Sequence, residues 1–187
     1  MKPSEKQKEI YKKLSPILGI NPKVIRYGDE SSNEKSIFIL ECPDPIDSDI
    51  MFYGTIGLSD FPVDETELEL LFATHSDYSN AGNILSSCAF FVINDNWKPS
   101  RGVCFETLIE MYYPNLEMKH IYFSSPYLWE DKLENFEIQG KRINFLLAVP
   151  ISQAELLFKN EFGEDKLEEL FESNDTNIFD LNRKSII

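Results

Sequence analysis

The apolar positions of this chain change period along its length, and each change marks an element. Near the start, Ile10, Leu14, Ile17 and Leu18 fall at helical spacing behind Ser4 and Gln7, the two residues of a capping box. Pro16 biases Ser15 away from helix, so the regular part is expected to stop near Leu14. The pattern then turns to short runs of strand character at 23–27, 36–41, 49–58 and 67–74. Gly28-Asp29, Pro43-Asp44-Pro45 and the segment 59–62 punctuate them. Connections this short leave no room for crossover helices, which predicts antiparallel meanders. From 78 to 93 the period is helical again, with Ala81, Ile84, Leu85, Cys88, Ala89 and Val92 on one stripe, as a buried central helix requires.

Beyond Asn94 the pattern weakens through a loop marked by Trp97, Pro99 and Gly102, followed by a short apolar run to Tyr113. Strands are expected at 118–125 and 141–149, with the segment 127–140 between them. Ser152 and Glu155 form a second capping box, and Ile151 and Leu156 have the spacing of a hydrophobic staple. A helix over 152–162, a break at Gly163 and a second helix over 164–172 follow, the last with Leu167, Leu170 and Phe171 inward. The expected fold is a single α+β domain over residues 1–174. It has a largely antiparallel sheet packed against a central helix, an N-terminal helix and a C-terminal helix pair. Residues 175–187 read as a loose C-terminal tail.

Composition narrows the class. No apolar run approaches the roughly 20 residues of a membrane span. The N-terminus is charged where a secretion signal needs an apolar centre. Cys42, Cys88 and Cys104 show no close spacing and suit free thiols in a reducing compartment, so a cytoplasmic protein is expected. The formal net charge is −14, and the imbalance is local: thirteen acids lie between Asp29 and Asp77 against one base, Lys35. Such a field repels nucleic-acid phosphates and speeds encounter with a basic partner, while also keeping a protein soluble. The lysines of the first helix lie opposite its apolar stripe, but one turn of apolar residues suits docking on a core better than a membrane surface.

Residues for chemistry are sparse. His75 and His120 are the only histidines, and no metal-binding spacing is present, so no metal or cofactor is expected. Cys88 sits on the buried stripe; Cys104, after a Pro- and Gly-marked loop, is the better thiol candidate. Asp44, Asp47 and Asp49 lack the glycine and terminal glutamate of a calcium loop, and Gly54 and Gly57 lack the lysine of a phosphate cradle. Tyr122, Phe123, Tyr127 and Trp129 could stack bases, but acids adjoin them. No catalytic residue is expected.

In this order the segments resemble the suppressor-of-fused domain family. Three stretches carry the likeness: Tyr53-Gly54-Thr55-Ile56-Gly57-Leu58-Ser59-Asp60; the helix through Ile84 to Ile93 with Trp97-x-Pro99-x-x-Gly102; and Ser125-Pro126 through Ala148-Val149-Pro150-Ile151-Ser152, with Glu155, Gly163 and Leu167. Together they span roughly residues 10–172. The resemblance implies a non-enzymatic protein-binding domain. Stand-alone bacterial members resemble immunity proteins, or antitoxins, of polymorphic toxins of the LXG type, often nucleases. A basic toxin domain is then the expected partner, met by Asp44, Asp47, Asp49, Asp60, Asp64, Glu65 and Glu67, with Tyr127 and Trp129 as aromatic anchors. A regulator or scaffold with a cellular partner other than a toxin, and an enzyme with an unrecognised thiol or carboxylate site, stand as alternatives.

Overall fold

Ser4 starts the first helix as its capping box predicts. Its Oγ accepts from the Gln7 amide at 3.1 Å, and Gln7 Oε1 accepts from the Ser4 amide at 3.0 Å. The computed structural model describes residues 2–29 and 32–187 and gives this helix, α1, the span Glu5–Leu18. It continues past the expected stop with Pro16 inside. Proline removes one hydrogen bond of the last turn, but Leu14 and Leu18 are both buried and the Gly19 amide still closes on Ser15 O at 3.2 Å. Both leucines rest on Gly54, where a Cβ would stand 3.0 Å from Leu18 and 3.2 Å from Leu14. The missing side chain lets helix and sheet approach.

The expected meander forms. β1 (Lys23–Asp29), β2 (Ser32–Pro43), β3 (Ile50–Ile56) and β4 (Leu68–His75) pair antiparallel in chain order. After the expected turn signal Gly28-Asp29, positions 30 and 31 lie outside the described residues. α2 (Ala81–Asp95) is the central helix, with Ala81, Ile84, Leu85, Cys88 and Ala89 fully buried. The weakly patterned region holds β5 (Cys104–Phe105) and α3 (Leu108–Tyr112). β6 (His120–Ser124) follows, then a 3-10 turn at Tyr127–Trp129 and α4 (Glu130–Leu133). β7 (Glu137–Ile138) and β8 (Lys141–Arg142) make a small hairpin turned at Gln139 and Gly140, both with positive φ. β9 (Asn144–Ile151), α5 (Gln153–Phe162) and α6 (Glu164–Ser173) complete the elements, α5 with the second predicted capping box.

One seven-stranded sheet runs β1-β2-β3-β4-β9-β6-β5. β9 enters beside β4 in parallel and pairs antiparallel with β6. These central strands are covered on both faces, and their sequences LELLFATH and NFLLAVPI are accordingly near-continuous apolar runs. Strand alternation sends Leu40, Phe52, Leu71, Leu147 and Val149 to the face covered by α1, α5 and α6. Ile39, Tyr53, Phe72, Phe123 and Ala148 go to the face covered by α2 and α3.

The expectation of a loose tail is corrected. Ile178, Leu181 and Arg183 are buried, the Met118 amide donates to Leu181 O at 3.0 Å, and the His75 amide donates to Phe179 O at 2.9 Å. Arg183 forks onto the buried Glu155, with Nη1–Oε1 at 2.6 Å and Nη2–Oε2 at 2.8 Å. Glu155 Oε2 also accepts from the Ser152 amide, so the capping box doubles as the tail's anchor. Aperiodic sequence hid this because the segment is held by single long-range contacts rather than by an amphipathic face.

Candidate partner-binding surface

Most of the described acids between Asp29 and Asp77 are engaged within the protein. Asp44 Oδ1 accepts from the amides of Ile46 and Asp47 at 2.6 and 2.8 Å, and Asp47 Oδ1 from that of Asp49 at 3.0 Å, so these carboxylates shape the turn between β2 and β3. Lys6 of α1 bridges Asp60 at 3.4 Å and Glu67 at 2.8 Å, Gln7 Nε2 donates to Asp60 at 2.8 Å, and Lys141 reaches Glu67 at 3.1 Å. Burial alone would raise Glu67, but the hydrogen bonds from Lys6 and Lys141 hold it below the ordinary carboxylate range. Asp64 pairs with Lys98. Asp49, Glu65 and Asp77 remain as exposed carboxylates.

Glu69 has the most enclosed setting of this group. It is fully buried; Oε1 accepts from the amides of Gly57 and Ser59 at 2.9 and 3.2 Å, and Oε2 from Thr55 Oγ1 and the Leu58 amide at 2.6 and 3.3 Å. Burial pushes its carboxyl up to about 7 against the pull of these donors. The stretch 53–60 is thus a cradle around one carboxylate, entered through Gly57 at φ +104°.

A different arrangement surrounds α6. Asp165, Glu168 and Glu172 share one face at helical spacing. Arg101 Nη2 lies 2.6 Å from both Asp165 Oδ1 and Glu168 Oε2. Glu168 Oε1 also accepts from Tyr122 Oη at 2.7 Å and Ser124 Oγ at 2.8 Å. Burial acts to raise Glu168, and these donors outweigh it, leaving the carboxyl below its ordinary range. Between α6 and the bend after β6 opens a cleft of about 510 Å³, walled by Tyr127, Phe171 and Ile178 and rimmed by Glu168, Glu172 and Asp175.

The fold therefore divides the residues singled out from sequence. Tyr127 is 46% exposed and lines this cleft, away from the β2–β3 turn that carries Asp44. Trp129 is 6% exposed with its ring edge-on to Phe52 at 5.0 Å; it is a core residue and leaves the set of expected contacts, because its indole is buried under the sheet. Glu67, 8% exposed and held by two lysines, leaves it too. Arg101, Glu168, Glu172 and Asp175 were not singled out. The 165/168/172 spacing was a readable signal, but the partnership of Arg101 with α6 had none, being set by the loop before β5.

Cys88, Cys104 and His120 sit in enclosed settings. Burial raises the Cys104 thiol to about 11 and the Cys88 thiol further. His120 Nδ1 accepts from the Thr107 amide at 2.8 Å, so Nε2 carries the proton and faces Gln153 Oε1 at 3.1 Å. Both ring nitrogens are committed, and neither serves a cysteine. Among the described residues no group of three His, Cys, Asp or Glu is placed to hold a metal ion, and no helix is long and apolar enough to cross a membrane.

Comparison with known proteins agrees with this fold. A family model described as suppressor of fused protein (SUFU) matches residues 33–184. The chain is 38% identical over 190 residues to the immunity protein YqcF of Bacillus subtilis (strain 168), covering 98% of each. Among solved structures, a SUFU homolog from Neisseria gonorrhoeae FA 1090 superposes with a TM-score of 0.75 at 17% identity, over 98% of this chain and 97% of that one. A chain of the Sufu–Fu complex gives 0.72 at 13% identity, over 99% and 93%.

Proposed function

The chain belongs to the suppressor of fused family, and from that premise we propose that it acts by binding another protein, as a cytoplasmic immunity protein that neutralises a cognate toxin by direct contact. The observation that carries this reading is the 38% identity, over 98% of both chains, with the Bacillus subtilis immunity protein. The net charge of −14 agrees with a basic partner, and a nuclease domain is the kind we propose, since a nuclease must present a cationic groove to phosphates. Occluding that groove needs no catalysis by this chain. Long-range attraction raises the association rate, and apolar anchors slow dissociation. The exposed Asp49 and Glu65 and the β2–β3 turn carrying Asp44 and Asp47 supply attraction; Asp60 and Asp64, paired with Lys6 and Lys98, add less; Tyr127 supplies an anchor.

A tagged pull-down from the source cells, followed by toxicity assays of what co-elutes, tests the proposal. Recovery of one basic domain, lethal alone and silent in the complex, is the expected result. Stoichiometric recovery of a non-toxic regulator would overturn it in favour of a scaffold.

A further inference from the structure

The cleft beside α6 combines an aromatic wall, an apolar floor and an anionic rim. Its volume of about 510 Å³ accommodates a long side chain. One wall is the half-exposed ring of Tyr127; the floor includes Phe171, whose ring already has Arg183 at 5.6 Å. Its rim is anionic. Glu168 is committed to Arg101, Tyr122 and Ser124, so its charge is matched within the protein. Glu172 and Asp175 are exposed and make no ion pair with any described residue. Thr176 lines the cleft, and its Oγ1, enclosed beneath the surface, lacks a hydrogen-bond partner among the described residues.

A half-exposed aromatic ring and two unmatched carboxylates at the mouth of a cleft make a receptor for a planar cation. A guanidinium stacks on an aromatic face while its edges donate to carboxylate oxygens; a neutral planar group can donate as well but leaves the two carboxylate charges uncompensated. The protein pairs guanidinium with carboxylate twice among its own residues, Arg101 with Asp165 and Glu168 and Arg183 with Glu155, the second also over the Phe171 ring. We propose that the cleft between α6 and the 124–127 bend seats an arginine side chain presented by the partner protein, held by Tyr127, Glu172 and Asp175. This rests on the protein-binding reading above and names the point of contact within it.

Two measurements test it separately from that reading. In an NMR titration, N-acetyl-arginine amide should shift the backbone amides of Ser125, Tyr127, Asp175 and Thr176, and the isosteric neutral N-acetyl-citrulline amide should not. The double variant Glu172→Gln/Asp175→Asn should weaken the arginine response about tenfold, as expected when both carboxylate partners of a cation are removed. Equal shifts from citrulline, or an undiminished response in the variant, would overturn the proposal. The second measurement is protection of cells against the basic domain recovered with this chain. The same double variant should need markedly more protein to protect than Asp44→Asn/Asp47→Asn, which changes the net charge equally. If both variants protect equally while the parent protects, the cleft proposal fails and the immunity reading stands. If the parent itself fails to protect, the immunity reading fails and the titration alone decides the cleft.

Discussion

Glu69 and Glu172 both lie in acid-rich stretches, yet their surroundings have nothing in common. Four donors enclose the first inside the turn that follows β3, whereas the second stands in solvent at the rim of a cleft. The difference extends to their neighbours. In the stretch from Asp29 to Asp77, most described acids cap a turn, pair with Lys6, Lys98 or Lys141, or are buried. Along α6, several acids remain available around a concave surface. Charge per length of sequence is therefore a poor guide to charge offered to a partner. What each carboxylate already accepts decides it, and that is a property of the fold.

The sharpest way to test this division is to remove the buried acids, which should behave as parts of the fold wherever they lie in sequence. Glu155→Ala strands the buried Arg183 and should cost about 3–5 kcal/mol in urea unfolding. Amide exchange at 178–186 should accelerate in the same variant, since that segment hangs on the pair. Glu69→Gln turns an amide N–H toward amides that already donate there, and should cost about 2–3 kcal/mol. A loss below 1 kcal/mol in either variant would dissolve the distinction.

Titration sharpens it further. Burial raises Glu69 to about 7 from 4.5, so the folded protein holds a proton that the unfolded chain releases across that window. The resulting stabilisation is complete below about 4.5 and is lost as pH rises through about 7. The unfolding free energy of the parent minus that of Glu69→Gln should therefore fall between these limits, measured by urea melts at each pH. A difference that grows with pH would mean that the four donors outweigh burial.

Smaller effects are expected at exposed groups. Asp64→Asn breaks a pair whose side chains are 71% and 59% exposed, and should cost less than about 1 kcal/mol, diminishing in salt. Glu172→Gln/Asp175→Asn should leave Tm within about 2 °C of the parent, because neither carboxylate is buried or paired. Any larger drop would place these residues with the structural acids.

Much of the fold was legible locally. Both capping boxes, the four-strand meander, the buried helix after it and the closing helix pair follow from residues within one or two turns of each other. Where reading failed, the cause was a contact distant in sequence. Packing of Leu18 on Gly54 carried α1 through Pro16, and Arg183 gathered an aperiodic segment onto Glu155. Within the candidate site, Tyr127 was visible as an aromatic beside a strand end, but nothing local distinguished it from Trp129. The sheet settles that question, burying one ring against Phe52 and leaving the other at the cleft.

By itself the sequence determined the main elements (the first helix, the four-strand meander, the central helix and the closing helix pair), their order, the α+β class and the family, because caps, periodicity and turn residues act over a few positions. The tertiary structure decided which acids are scaffold and which are surface, and where an aromatic meets them. The physical reason is that burial and hydrogen-bond satisfaction are set by neighbours brought from afar: Gly57 over Glu69, Arg101 over Glu168, and Arg183 over Glu155.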